Sequence, residues 1–333
     1  RRAIVESSNV YFYSLANELG VDAIHDFMAP LGFGQYTGID LDGEVRGILP
    51  STDWKKKAYR RVSQQKWYSG ETISLGIGQG YNSFTMLQLA QATAVLANDG
   101  VKHKPQLVIA TVDPVTGERV AVPPAPAQDL GYKPQNVAVV RRAMVGVTQG
   151  GTSARVFANS GYQSGGKTGT AQAVGIAQNA KYDARRMAER QRDHALYVAF
   201  APADNPRIAL ALVVENAGFG AAHAAPIARR VFDYWLLGQY PNAQDMAAVK
   251  DGTASAPIGK PLNAADVPWI GDPDPVSAAT APLAPASTAV STAATQAAPP
   301  PRSKNPNKPT NGDLTRRVRG QAAGRPTAET PVL

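Results

Sequence analysis

Cysteine is absent from the 333 residues, which excludes thiol nucleophiles, thiolate metal sites and disulfides and is compatible with an oxidising compartment. Long hydrophobic runs are missing too: nothing approaches the ~20 apolar residues of a membrane span, and there is no signal peptide and no initiating methionine. The opening Arg1-Arg2-Ala3-Ile4-Val5 reads as the middle of a helix, so a missing anchor says nothing about the parent protein. The four histidines, His25, His103, His194 and His223, keep no metal-ligand spacing. Each is expected to be structural or exposed, with His194 bonding locally in its charged surroundings, and neither a metal nor another cofactor is expected. Aromatics amount to 7% of the chain and nearly vanish beyond Asn242, where Ala, Pro, Ser and Thr dominate without helix or strand periodicity. Such a stretch cannot bury enough surface to offset its conformational entropy. Residues 1–240 are therefore expected to fold and residues 241–333 to form a disordered tail with a basic end.

The net charge of +8 suggests nucleic acid until it is located. From Pro301 onward Arg302, Lys304, Lys308, Arg316, Arg317, Arg319 and Arg325 face only Asp313 and Glu329. Most of the excess is thus terminal, and the remainder is nearly balanced. A solvated tail that could touch anionic lipid or wall polymer accounts for it, and no nucleic-acid partner is expected.

What is present is an apolar content of 44%, enough for a substantial core. Ile24, Phe27, Met28 and Leu31 recur with helical spacing behind a cap at Asp22; Met86, Leu89, Ala90, Leu96 and Ala97 stop at Gly100; Val137, Val140, Met144 and Val147 make a third stripe; Ile227, Val231, Tyr234 and Trp235 follow Pro226 at a first helical position. Residues 170–174, 196–200 and 208–214 read as strands, the last two joined by Pro202-Ala-Asp-Asn-Pro206, a turn composition that pairs them antiparallel. Helices, then an antiparallel sheet, then a closing helix specify an α+β fold with helices packed on the sheet.

Two short motifs bear chemistry. Lys167-Thr168-Gly169-Thr170 follows Ser164-Gly165-Gly166 at the start of a strand. Glycines admit a second backbone, the lysine gives a fixed cation and the threonine a donor, a set suited to a carboxylate-ended peptide laid along the strand edge. In isolation Lys-Thr-Gly is also an ordinary turn sequence. Ser7-Ser8-Asn9 precedes the helical run Val10–Leu15 and alone reads as a helix cap. Together, a Ser-x-Asn and a Lys-Thr-Gly element accompany a Ser-x-x-Lys nucleophile in β-lactamases and penicillin-binding proteins. There the serine relays a proton to the leaving amine and the asparagine amide holds substrate.

The stretches between these motifs are also familiar. Tyr36–Leu41, Trp67-Tyr68, Gly76-Ile-Gly-Gln-Gly80, Gly151-Thr152, Glu189–His194 and Ala199-Phe-Ala-Pro202 follow one another in an order that resembles the penicillin-binding protein 2 branch of class B transpeptidases, over residues 3–238. The resemblance implies the penicillin-binding protein/serine β-lactamase-like fold and a peptidoglycan D,D-transpeptidase of cell elongation, acting on D-alanyl-D-alanine stem peptides and blocked by β-lactams. It implies an inner-membrane anchor, a periplasmic catalytic domain and a RodA-type glycosyltransferase partner. It makes Ser7 and Asn9 the second motif, Lys167, Thr168 and Gly169 the third, and the Thr170 N–H part of the oxyanion hole.

The pattern is incomplete. The family's Ser-x-x-Lys precedes its second motif and so belongs before Arg1. Ser63-Gln-Gln-Lys66 follows Ser7 instead of preceding it, and Ser164-Gly-Gly-Lys167 shares its lysine with the third motif. The chain alone is therefore expected not to be acylated by labelled penicillin; covalent label mapped to Ser63 or Ser164 would reverse that. Two other readings stay open, a non-catalytic penicillin- or wall-peptide-binding sensor, and a D,D-carboxypeptidase or β-lactamase. Gly76–Gly80 is not a dinucleotide turn, because Tyr81 stands where the third glycine belongs; it is expected to shape the floor of the cleft. The charges from Lys181 to Arg192 are expected to form a solvated helix or lid.

Overall fold

A computed structural model describes residues 1–174 and 187–267. The chain divides into units Arg1–Ile270 and Gly271–Leu333, and the second lies outside the described residues, as do residues 181–186 of the expected lid.

The N-terminal half is helical: α1 (Arg2–Val5), α2 (Asn9–Leu19), α3 (Val21–Met28), α4 (Thr52–Ala58), α5 (Val62–Gln65), α6 (Ser69–Leu75) and α7 (Met86–Ala97). Helix α7 starts in a capping box, the Gln88 N–H donating to Thr85 Oγ1 and the Thr85 N–H to Gln88 Oε1, each at 3.1 Å. Its apolar face packs with Leu31, Phe33 and Leu49. Asp22 does not cap α3, whose N-cap is Gly20. Both of its carboxylate oxygens instead accept from Thr52, one from the N–H and one from the hydroxyl, each at 2.8 Å. The partner lies thirty residues on, so spacing could not show it.

Two small ladders follow, β1 (Val101–Lys102) with β4 (Gln128–Asp129) and the hairpin β2 (Ala110–Val112) with β3 (Arg119–Ala121). Helices α8 (Pro134–Gln149) and α9 (Ala154–Phe157) lead into the main sheet of β5 (Gly165–Ala171), β6 (His194–Ala201) and β7 (Ile208–Val214). The order is β5-β6-β7, antiparallel throughout, with Lys167 opposite Val198. Alternation along β6 divides the core. Ala195, Tyr197, Ala199 and Ala201 face helix α10 (Gly220–Leu237) through Ala224, Ala225, Ala228 and Phe232; Val198 and Phe200 face Ala97 and Met144 of α7 and α8.

Two expected boundaries move. Strand β5 starts at Gly165, five residues before the expected position. An added Cβ at Gly166 would lie 2.1 Å from the Tyr197 hydroxyl and one at Gly165 2.4 Å from the Phe200 ring, so these glycines are strand residues over which cross-strand rings lie. Helix α10 starts at Gly220, leaving Pro226 inside it rather than at its first turn.

The fold does not stop at residue 240 among the described residues. Strand β8 (Gln239–Tyr240) pairs with β9 (Leu262–Asn263), and between them runs α11 (Ala243–Lys250), capped by the Asn242 side chain at 2.9 Å from the Asp245 N–H. Composition hid this segment because a buried ion pair orders it. Asp245 is 1% exposed and accepts from Arg230 Nε at 3.0 Å and Nη2 at 2.5 Å. Residues 268–333 lie outside the described residues.

Candidate functional site

Ser7 joins α1 to α2 with φ of +55°, a left-handed conformation uncommon for serine and costing of order 1 kcal/mol or more. It sets the hydroxyl against the β5 edge of the main sheet. Lys167 Nζ, reaching from β5, donates to Ser7 Oγ at 2.8 Å and to the Thr168 carbonyl at 2.7 Å. The two motifs, 160 residues apart in sequence, thus meet at one point. Lys167 is half-buried, which pushes its pKa below the ordinary lysine value by penalising the charged form.

Around this pair opens a cleft of about 1020 Å³. Ser7, Asn9, Lys167, Thr168, Gly169 and Thr170 all line it, so every residue singled out from the sequence faces one groove. Among the described residues β5 is an outer strand with no further strand beside it, the geometry on which an extended peptide adds as a further strand.

Other cleft residues were missed or cited only as landmarks. Gln79, from the glycine-rich turn after α6, donates through Nε2 to the Thr170 carbonyl at 2.7 Å, and its Oε1 accepts a long 3.4 Å bond from the Gln172 N–H. A side-chain amide thereby bridges Thr170 of β5 and Gln172 just past the strand's end. Helix α6 is anchored from below, where buried Lys55 bonds Glu71 and lies 5.4 to 5.5 Å from the Trp67, Tyr68 and Tyr81 ring centroids. Thr152 Oγ1 lies 2.9 Å from Thr168 Oγ1. Phe219, Gly220 and Ala221 form the rim at the start of α10. Gly76–Gly80 does line the cleft as expected; what the landmarks could not show is the role of Gln79 or Thr152, whose partners are 91 and 16 residues away.

The alternative serine–lysine strings do not form a nucleophile here. Ser63 is exposed on α5, outside the cleft. Ser164 is 2% exposed behind β5, and Lys167 is directed to Ser7. His194 Nδ1 accepts from the Asn216 N–H at 2.9 Å, a partner 22 residues away rather than in the charged neighbourhood expected. Among the described residues no group of His, Asp and Glu is placed to hold a metal, and no helix is long and apolar enough to cross a membrane.

The family description Penicillin binding protein transpeptidase domain matches residues 1–233. The peptidoglycan D,D-transpeptidase MrdA of Acinetobacter baumannii is 44% identical over 245 residues, covering 72% of this chain and 35% of that protein. Its Escherichia coli K12 namesake is 37% identical over 262 residues, covering 77% and 39%. The chain thus spans little more than a third of these relatives' length. Among solved structures, Pseudomonas aeruginosa PBP2 in complex with WCK 5153 matches with a TM-score of 0.57 at 44% identity, over 71% of this chain and 46% of that one. Helicobacter pylori PBP2 in complex with MreC matches with a TM-score of 0.58 at 28% identity, over 71% and 40%.

Proposed function

The chain belongs to the penicillin-binding protein transpeptidase family, and from that premise we propose that its cleft is the substrate-binding half of a peptidoglycan D,D-transpeptidase of cell elongation. The substrate is a stem peptide ending in D-alanyl-D-alanine, and β-lactams occupy the same edge. The observation that carries the reading is the 2.8 Å contact of Lys167 Nζ with Ser7 Oγ beside β5, an outer strand among the described residues.

Each residue has a role there. The peptide lies along β5, its terminal carboxylate against Lys167 and the Thr168 hydroxyl, a charge-assisted pair. The Thr170 N–H donates to the oxygen of the carbonyl under attack, where negative charge develops. The Asn9 amide holds the peptide backbone from the α2 side. Acyl transfer breaks the bond between the two D-alanines, and the departing amine needs a proton. Ser7 gives its hydroxyl proton to that amine and regains one from Lys167, which already donates to its oxygen. Burial favours the neutral form of Lys167 and so helps release of that proton. The attacking serine is assigned to a Ser-x-x-Lys element outside these residues, as the family pattern implies. An inner-membrane anchor, a periplasmic location and assembly with a RodA-type glycosyltransferase and the elongation machinery belong to the same proposal. The relative that was solved with MreC supports an elongation partner.

The pH dependence tests this. Lys167 must be charged to hold a carboxylate, and its pKa lies below the ordinary 10.5. Affinity for an acyl-D-Ala-D-Ala peptide, measured by titration followed by NMR, should fall as pH rises, with a midpoint below 10.5, as the ammonium deprotonates. The same fall in Lys167→Gln would refute the assignment, since that variant has nothing left to titrate.

A further inference from the structure

We infer that Thr152 is a positioning residue for carboxylate recognition: it donates its hydroxyl proton to Thr168 Oγ1 and thereby turns the Thr168 O–H toward the ligand. The inference rests on the reading above, in which this edge accepts a carboxylate-ended peptide.

The contact between Thr152 Oγ1 and Thr168 Oγ1 is 2.9 Å, and either oxygen can be the donor. A carboxylate removes the ambiguity. It only accepts, so the threonine beside it must donate outward, and the other threonine must donate inward to complete the chain. Lys167 precedes Thr168 on the strand and fixes the carboxylate on that side, so Thr168 is the outward donor and Thr152 the inward one. A hydroxyl that accepts one hydrogen bond is a stronger donor of the next, the cooperative gain of hydrogen-bond chains.

The backbone of Thr152 is held as a positioning role requires. Before it, Gly151 is wedged between α1 and α8, where an added Cβ would stand 2.6 Å from the Val5 carbonyl oxygen and 2.7 Å from Val147 Cα. After it, Ser153 is fully buried, its hydroxyl within 3.3 Å of the Val147 carbonyl and 2.9 Å of the Tyr197 hydroxyl. Both neighbours are pinned while the Thr152 side chain stays exposed at the cleft. Stability does not demand the Thr152–Thr168 bond, since water can satisfy an exposed hydroxyl at little cost. Val5 also leads directly to Ser7, so the segment that fixes Thr152 fixes the hydroxyl on the other side of Lys167.

The experiment compares two ligands on the full chain by NMR titration, N-acetyl-L-lysyl-D-alanyl-D-alanine and its C-terminal amide. Thr152→Val, which keeps the shape and loses the hydroxyl, should weaken the acid by about fivefold, the worth of one hydrogen bond, and the amide, whose neutral carbonyl is a weaker acceptor, clearly less. Thr152→Ser should restore the acid, and thermal unfolding should show both variants as stable as the parent. Equal losses for acid and amide, or none for either, would overturn the inference. Lys167→Gln separates the two levels. If it abolishes the acid preference and Thr152→Val does not, the inference alone falls; if the unaltered chain shows no acid preference, the functional reading falls and takes the inference with it.

Discussion

Asp245→Ala is expected to cost about 3–5 kcal/mol of folding stability, the usual consequence of leaving a buried charge without its partner. Arg230 is 7% exposed and directs Nε and Nη2 at the Asp245 carboxylate, while Nη1 donates to the carbonyls of Pro226 and Ser255. Removing the carboxylate strands the guanidinium against two carbonyls, and it also frees the Ile258 N–H, which Asp245 accepts at 3.0 Å. Asp245→Asn should fare little better, because it removes the compensating charge and turns an NH2 toward the guanidinium. Urea unfolding followed by circular dichroism provides the measurement. Ending the chain at residue 240 should produce a loss of the same order, since it removes the same carboxylate. A change under about 1 kcal/mol, the range of ordinary surface substitutions, would mean that residues 243–267 are an appendage rather than part of the fold.

The second large effect is at Gly220. Its added Cβ would stand 2.1 Å from the Leu196 carbonyl oxygen, 2.6 Å from that of Gly169 and 3.1 Å from the Gly169 nitrogen. All three are backbone atoms of the sheet, which cannot swing aside as a side chain would. Gly220→Ala must therefore push the start of α10 away from β5 or shift β5 at Gly169, and overpacking of this kind costs about 1–3 kcal/mol. Because Gly169 belongs to the strand that carries Lys167 and Thr170, peptide affinity should fall together with stability. Gly70→Ala is the control. It lies in α6 with no atom within 4 Å of an added Cβ, and alanine there should be neutral or stabilising by up to ~1 kcal/mol. Equal behaviour of the two variants would show that close approach at Gly220 does not hold the edge strand in place.

Neighbouring residues could be read from the sequence where local rules governed them. The stripe from Met86 to Ala97 became α7 with its capping box, and residues 208–214 became β7 as expected. Errors came where a distant partner overrode the local rule. Asp22 serves Thr52 instead of capping its own helix, and Pro226 lies within α10. The segment after Asn242 looked unable to fold, yet Asn242 and Asp245 together were a legible cap signal in an unpromising composition.

The sequence by itself determined the family and the residue types of the site, because Ser7-Ser8-Asn9 and Lys167-Thr168-Gly169 are contiguous motifs whose chemistry is written in adjacent side chains. Tertiary structure alone decided that they meet at 2.8 Å, that Gln79 grips Thr170, that Thr152 backs Thr168, and that Asp245 ties α11 to α10. The reason is one of range. Periodicity and capping act over a few residues, whereas these contacts join positions that only packing of α1 on α8 and of α10 on the sheet brings within hydrogen-bonding distance.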